Sequence, residues 1–376
     1  MEIVRLESQI GREELTSQTV PLPTDSVPEV SVVIVSYNTG MLLRRCIDAL
    51  VSQTNLTTYE IIVVDNASAD NSTEIVHKEF PFVRLICNSA NLGFAAGQNT
   101  GLRASRGRFL LVMNSDVLID QGAIDNLVKF LREADPDVAG AGPLVRNNDG
   151  SVAPSARRSA HSLPVVIAGI IDEHLNVKRI LPRFLTEHSR GRALLGRFHD
   201  NFVAHNTVRE AEMLDGMCVL FKRQVLEKVG LFDEQFFFDY EIIDLCNRIR
   251  HSGFRLLFYP GATVTHLGHQ SRKKASAIVV ETHRSHLIFT AKYHPRRVSL
   301  VRGCIGVVAF LAALLCKVRM VWGSIRQKEL GDLPDRYRLY TRIVSMARAF
   351  DRKKVHSPGL IGWAGSAGVV AADSAR

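Results

Sequence analysis

Several acids and amides stand where short apolar runs end. Asp65 and Asn66 follow EIIVV (60–64). A carboxylate at the carboxyl end of a strand accepts hydrogen bonds from a base or a ribose. Asn114, Ser115 and Asp116 follow RFLLVM (108–113). A carboxylate and an amide oxygen two residues apart can face one divalent ion, and Mg²⁺ and Mn²⁺ share such oxygen ligands with phosphates. Ser36, Tyr37 and Asn38 close a third run, VSVVIV (30–35). Helix capping is the competing use of polar residues at such places, and Asp70, Asn71 and Ser72 fit it. Gly93 and Gly97 lie near a helix start, where backbone N–H groups can approach an anion. Turns use glycine in any case. The chain has no GxxxxGK[ST] string, which argues against a P-loop nucleotide hydrolase.

The elements that must hold these residues alternate. Strands are expected at 30–35, 60–64, 83–86 and 108–113. Between them, Leu43, Ile47 and Leu50 give helical spacing over 41–53, and helices follow at 71–80 and 95–105. This alternation predicts an α/β fold, a parallel sheet covered by helices on both faces, with ligands outside the carboxyl ends of the strands. Residues 151–210 read as an insertion or mobile region. Periodic structure returns at 213–229, 242–250 and 254–258. Residues 1–28 read as a polar tail, and 355–376, rich in Gly, Ala and Ser, as disordered. There is no internal repeat.

Hydrophobic residues make up 46% of the 376 and charged residues 23%, an ordinary globular balance. The net charge of +9 is unevenly placed: residues 1–271 hold 27 basic and 32 acidic side chains, residues 272–376 hold 20 and 6. Basic residues with interleaved Tyr293, Trp322, Tyr337 and Tyr340 invite a nucleic-acid reading, but no base-reading motif accompanies them. The run GCIGVVAFLAALLC (303–316) has 14 residues, short of the roughly 20 that span a bilayer. With Arg302, Lys317 and Arg319 at its ends, a buried core helix and an interfacial helix are the two readings, and the basic flanks favour the second. The six cysteines show no metal or disulfide spacing, and no secretory signal precedes the first strand. A reducing, cytoplasmic setting is expected.

Taken in order, VSVVIVSYN (30–38), EIIVVDNASADNS (60–72), NLGFAAGQNTGL (91–102), LLVMNSD (110–116), Asp215-Gly216, VLFKRQVLEKVGLFDEQFFFDYE (219–241) and the string at 242–271 resemble the family-2 nucleotide-sugar glycosyltransferases. The likeness is greatest to the bacterial rhamnosyltransferase-like branch that builds cell-surface polysaccharides. It implies a GT-A fold over 29–272, followed by a basic helical region over 273–354 that meets a membrane. It implies a nucleoside-diphosphate sugar donor, a lipid-linked saccharide acceptor, Mg²⁺ or Mn²⁺, and a peripheral place on the inner face of the cell membrane. Tyr37, Asn38, Asp65 and Asn66 would hold the donor nucleotide, and Asn91, Gly93, Asn99, Asn114 and Ser115 would line the donor pocket. Asp215 and Gly216 would stand on the acceptor side. Asp116 and His266 would hold the metal, with His269 a competing candidate.

The resemblance also implies inversion at the anomeric carbon with a carboxylate base, and here the sequence departs from the pattern. The segment reads Asp239-Tyr240-Glu241-Ile242-Ile243-Asp244. Ile242 occupies the usual base position and cannot accept a proton. Glu241 is the nearest surviving carboxylate, with Asp239 and Asp244 as alternatives. On a helix Glu241 and Asp244 share a face, and Asp244 could pair with Arg248. A weakened or non-catalytic relative that binds nucleotide-sugar or glycan is the other reading of this departure.

Overall fold

The computed structural model describes residues 27–53, 56–153, 156–157, 206–268, 276–326 and 330–355. The expected tails and most of the 151–210 region lie outside these residues, as does His269.

Four strands come first: β1 (Val30–Ser36), β2 (Tyr59–Asp65), β3 (Arg84–Cys87) and β4 (Phe109–Asn114). The helices between them are α1 (Gly40–Gln53), α2 (Ser72–Glu79) and α3 (Gly93–Ala104). Then follow β5 (Val117–Ile119), α4 (Ala123–Glu133), β6 (Val138–Asn147), β7 (Ala156–Arg157), β8 (Arg209–Ala211), β9 (Met213–Leu214) and β10 (Cys218–Lys222). After α5 (Arg223–Val229) and α6 (Glu241–His251), β11 (Arg255–His266) completes the sheet. Helices α7 (Ser276–Tyr293), α8 (Val298–Ile325) and α9 (Leu333–Ala349) end the described chain.

The main sheet runs β3-β2-β1-β4-β10-β6-β11-β5, with β8 beside β11. Its first half is parallel, as expected of short apolar strands joined by helices. The second half is mixed. Strand β10 is antiparallel to β4 and β6, and β11 is parallel to β6 and antiparallel to β5 and β8. One core cluster packs α1, α2 and α4 on one face of the sheet. The other lies under α3, α5 and α6 and is closed by Ile288 and Phe289 of α7. Strands covered on both faces explain why β1, β2 and β4 read as unbroken apolar runs. All six cysteines are free thiols.

Helix α8 is 28 residues long, twice the apolar run that marks it in the sequence. Arg302, Lys317 and Arg319 do not end it, because they are exposed at its surface. Val301, Ile305, Ala309, Ala312 and Cys316 pack against Leu287 of α7 and Tyr340, Ile343 and Ala347 of α9.

Candidate functional site

Strand register brings the first polar cluster together. Ser36 pairs with Asp65, and Val35 with Asn114, so β1, β2 and β4 end at one level. The turn after β2 returns to Asp65, whose Oδ2 accepts from Ser68 N at 2.8 Å. Its Oδ1 is buried with no hydrogen-bond partner among the described residues. A buried acceptor left bare costs about 1–3 kcal/mol, and a donor group on a ligand would remove that cost.

Around Asp65 the amides form a network. Asn66 Nδ2 donates to Gly93 O at 2.9 Å, and Asn66 Oδ1 accepts from Asn88 Nδ2 at 2.7 Å. Asn91 Oδ1 accepts from Gly93 N at 3.0 Å. Asn38 takes a left-handed conformation (φ 55°) and its Oδ1 accepts from Ala69 N at 2.7 Å, tying the β1 and β2 turns together. Tyr37 beside it is exposed, its ring open to a planar partner. Ser115 Oγ accepts from Thr39 at 3.0 Å, linking the β4 turn to α1.

Two expectations change here. Asn71, at the start of α2, makes no side-chain cap. Asp70 accepts instead from Ser72 N at 3.1 Å and Gly40 N at 2.9 Å, bracing two turns. The carboxyl of Asp70 is opposed by burial, yet these hydrogen bonds outweigh it and hold its pKa below the usual value. Gly93 is not part of an open anion cradle. Its φ is +84°, its N–H is given to Asn91, and a Cβ would meet Phe237 O at 2.3 Å. Asn99 is fully buried and its amide is already engaged, donating to Phe232 O at 2.9 Å and Glu234 at 2.8 Å and accepting from Phe232 N at 3.0 Å.

Asp116 and His266, 150 residues apart, converge. Antiparallel pairing sets His266 of β11 opposite Val117 of β5, and Leu267 N donates to Asp116 O at 2.9 Å. His266 Nε2 then lies 3.2 Å from Asp116 Oδ2. A carboxylate and an imidazole suit Mn²⁺, with Mg²⁺ preferring oxygen alone. No cluster of three or more His, Cys, Asp or Glu side chains suited to a metal occurs among the described residues. These two groups would suit a divalent ion that takes its remaining ligands from outside the protein. The nearby Cys46 thiol is pushed well above its ordinary pKa, by burial first and then by the Asp116 charge.

The acceptor-side and base segments sit beside this cluster. Met217 N donates to Asp215 Oδ1 at 3.1 Å, and Asn114 N donates to Met217 O at 3.0 Å. A Cβ on Gly216 would touch Ile242 at 3.4 Å, so Ile242 packs on the Asp215-Gly216 turn as part of the core. Phe94 N donates to Phe237 O at 2.8 Å, joining the base segment to the start of α3.

The three candidate acids separate clearly. Glu241 is the first residue of α6 and nearly buried. Asp239 is turned toward α7, accepting from Thr282 Oγ1 at 2.8 Å. Asp244 is fully buried and held by Arg248 Nε at 2.9 Å, by Tyr293 OH at 2.9 Å and by Lys292. Both of its carboxylate oxygens are thereby engaged. Lys292 also pairs with Asp233 at 2.6 Å. Asp239 and Tyr240 both have positive φ (60° and 68°), a strained state for a bulky residue such as tyrosine. Helix α7 holds them there. Ser285 Oγ donates to Phe238 O at 2.8 Å, and the Tyr240 ring stacks on His286 at 5.1 Å between centroids.

Sequence reasoning missed Asn88, Thr282, Ser285 and Lys292. No motif marks them, since each acts through a partner far along the chain.

The chain is 29% identical to an N-acetylglucosaminyl-diphospho-decaprenol L-rhamnosyltransferase of Mycobacterium tuberculosis over 286 residues, covering 72% of this chain and 86% of that protein. It is 36% identical to the succinoglycan biosynthesis protein ExoO of Rhizobium meliloti over 130 residues, 34% of this chain and 36% of the other. A mannosyltransferase of Pyrobaculum calidifontis, solved with GDP-Man and Mn²⁺, superposes with a TM-score of 0.46 at 16% identity, covering 86% of this chain and 87% of that one. Residues 31–230, just over half of the chain, match the sequence profile described as glycosyl transferase family 2. That span holds the strand ends carrying Asp65 and Asp116, and the chain belongs to this family.

Proposed function

We propose that this glycosyltransferase moves a sugar, with rhamnose the first candidate, from a nucleoside diphosphate to a lipid-linked saccharide. The observation that carries the reading is Asp65, which stands at the level where β1, β2 and β4 end and whose buried Oδ1 has no hydrogen-bond partner among the described residues. A ribose hydroxyl or a base N–H is the donor it would accept from. Tyr37 and Asn38 border the same place. The similarity to a rhamnosyltransferase acting on a decaprenol-linked sugar supports the donor and acceptor classes.

In this reading residues 29–272 carry the chemistry. Asp116 and His266 would hold a divalent ion, which when bound offsets the negative charge of the diphosphate. Glu241 takes the proton of the acceptor hydroxyl. The acceptor oxygen bonds to the anomeric carbon as the bond to the diphosphate oxygen breaks, and the diphosphate leaves with that electron pair. Attack from the face opposite the leaving group inverts the anomeric centre. Ile242 leaves this scheme intact, because its side chain fills space against Gly216. A lipid-linked acceptor puts the enzyme at a membrane, on its cytoplasmic side where nucleotide-sugars are made.

The test uses purified protein, labelled nucleoside-diphosphate sugars, Mn²⁺ or Mg²⁺ and a membrane lipid extract. Asp116→Ala is expected to abolish transfer. Glu241→Gln is expected to keep donor binding and lose roughly 10²–10⁴-fold in turnover. Full turnover in either variant overturns the corresponding role.

A further inference from the structure

Among the described residues, helix α8 is covered on one side only. Ten of the eighteen exposed large apolar side chains among the described residues belong to it, and the other eight are scattered. Val307, Phe310, Leu314, Val318, Val321 and Ile325 recur at three- and four-residue steps, one stripe opposite the side packed on α7 and α9. From Leu300 to Ile325 the stripe is about 38 Å long at 1.5 Å per residue. The helix passes for a membrane span by length and composition, with 39% of its most apolar window buried in the protein. A stripe this large is an interaction surface rather than ordinary surface noise.

The charges beside it choose the partner. Arg302, Lys317, Arg319 and Arg326 are exposed along the same helix, outside the stripe. Arg338, Arg342 and Arg348 are exposed on α9, and Arg352, Lys353 and Lys354 follow it. A second copy of the chain would bring these like charges together. Anionic headgroups would neutralise them while the stripe enters the acyl boundary, with the long basic side chains reaching back to the surface. The same arginines argue against crossing. Helix α9 packs along α8, and its charged surface cannot enter hydrocarbon.

We propose that α8 is a membrane seat: it lies in the plane of an anionic bilayer, stripe down, without spanning it. The seat is read from α8 and the basic residues beside it, independently of any transfer step, and it deepens the lipid-linked acceptor reading by giving the enzyme a fixed pose. Helix α7, which packs on α8, also grips the 233–244 segment through Lys292, Thr282 and Ser285. The candidate base is thereby tied to the bilayer-facing element.

Vesicle co-sedimentation of the full chain tests this without any sugar substrate, so its result is independent of transferase activity. Binding is expected to phosphatidylcholine vesicles containing phosphatidylglycerol, to be weaker without it, and to weaken with salt. Leu314→Glu with Val318→Glu should cut partitioning at least about tenfold, while Phe82→Glu, at an equally exposed apolar site on the far edge of the sheet, should not. Arg319→Gln should cost about fivefold on anionic vesicles only. Circular dichroism checks that each variant is folded. Absence of vesicle binding, or equal binding by the double variant, overturns the proposal. So does retention in vesicles after an alkaline carbonate wash, which marks a spanning helix. A lipid-free dimer that the same double variant abolishes would assign the stripe to a second copy instead.

Discussion

Lys292 gives the sharpest test of how the base segment is held. Its ammonium is almost wholly buried, as are Asp233 and Asp244, the two carboxylates it joins. Lys292→Met keeps most of the aliphatic volume and removes the charge. Two buried carboxylates then lose their shared cation. Breaking a buried pair in this way typically costs about 3–5 kcal/mol. The remaining contacts place this case at the lower end. Asp244 keeps Arg248 and Tyr293, and Asp233 keeps Gln235 N at 3.0 Å. The expected loss is therefore about 3 kcal/mol. Urea unfolding followed by far-ultraviolet circular dichroism measures it, on Lys292→Met, Asp244→Asn and the double variant. The cycle isolates the Lys292–Asp244 coupling, expected at about 1–3 kcal/mol. A single-variant loss under about 1 kcal/mol, the size of an exposed pair, refutes the reasoning. Zero coupling refutes it too, by making the effect one of packing alone.

Gly93→Ala is expected to destabilise by more than about 2 kcal/mol, since left-handed φ costs an alanine about 1–2 kcal/mol and its Cβ would strike Phe237 O. Denaturant midpoints check this, and a neutral result removes the argued close approach. Burial first, and then the Asp244 charge, raise the Tyr293 phenol above its ordinary pKa. The folded state thus holds a proton that the unfolded state releases above about pH 10. The stability from this group is fully present below that pH and is lost as pH rises beyond it. Tyr293→Phe should therefore show a flatter decline of the urea midpoint between about pH 10 and 11 than the wild type; equal slopes would contradict the assigned burial. Cys218 and Cys246 are pushed up to about 12 by burial. Both should resist alkylation in the native protein near neutral pH and react after unfolding, read by mass spectrometry; native labelling of either would show that its cover opens.

How far the sequence reached is clear from single residues. Asp65 and Asp116 were legible because a strand buried on both faces is a run of β-branched and aliphatic residues, and the first polar residue after it must be at the strand's end. Local capping was not legible in detail. Asp70, Asn71 and Ser72 all satisfy the composition of a cap, and only the approach of Gly40 made Asp70 a brace. The glycines at 93 and 97 looked like an anion cradle, since a sequence does not say that a Phe237 carbonyl lies beside Gly93 and the Val35 and Asn66 side chains beside Gly97.

By itself the sequence determined the α/β alternation, the polar strand ends, the family and the two-part distribution of charge. These follow from periodicity and composition, which are properties of neighbours along the chain. Only the tertiary structure decided the mixed second half of the sheet, the meeting of Asp116 with His266, and the ion pairs that hold Asp244. It alone split α8 into a packed side and an open stripe. Each of these depends on contacts between residues far apart in sequence. The charge on Asp244 has the same appearance in the sequence as the charge on Glu241. Lys292, 48 residues later, draws Asp244 into a buried ion pair that no local spacing announces.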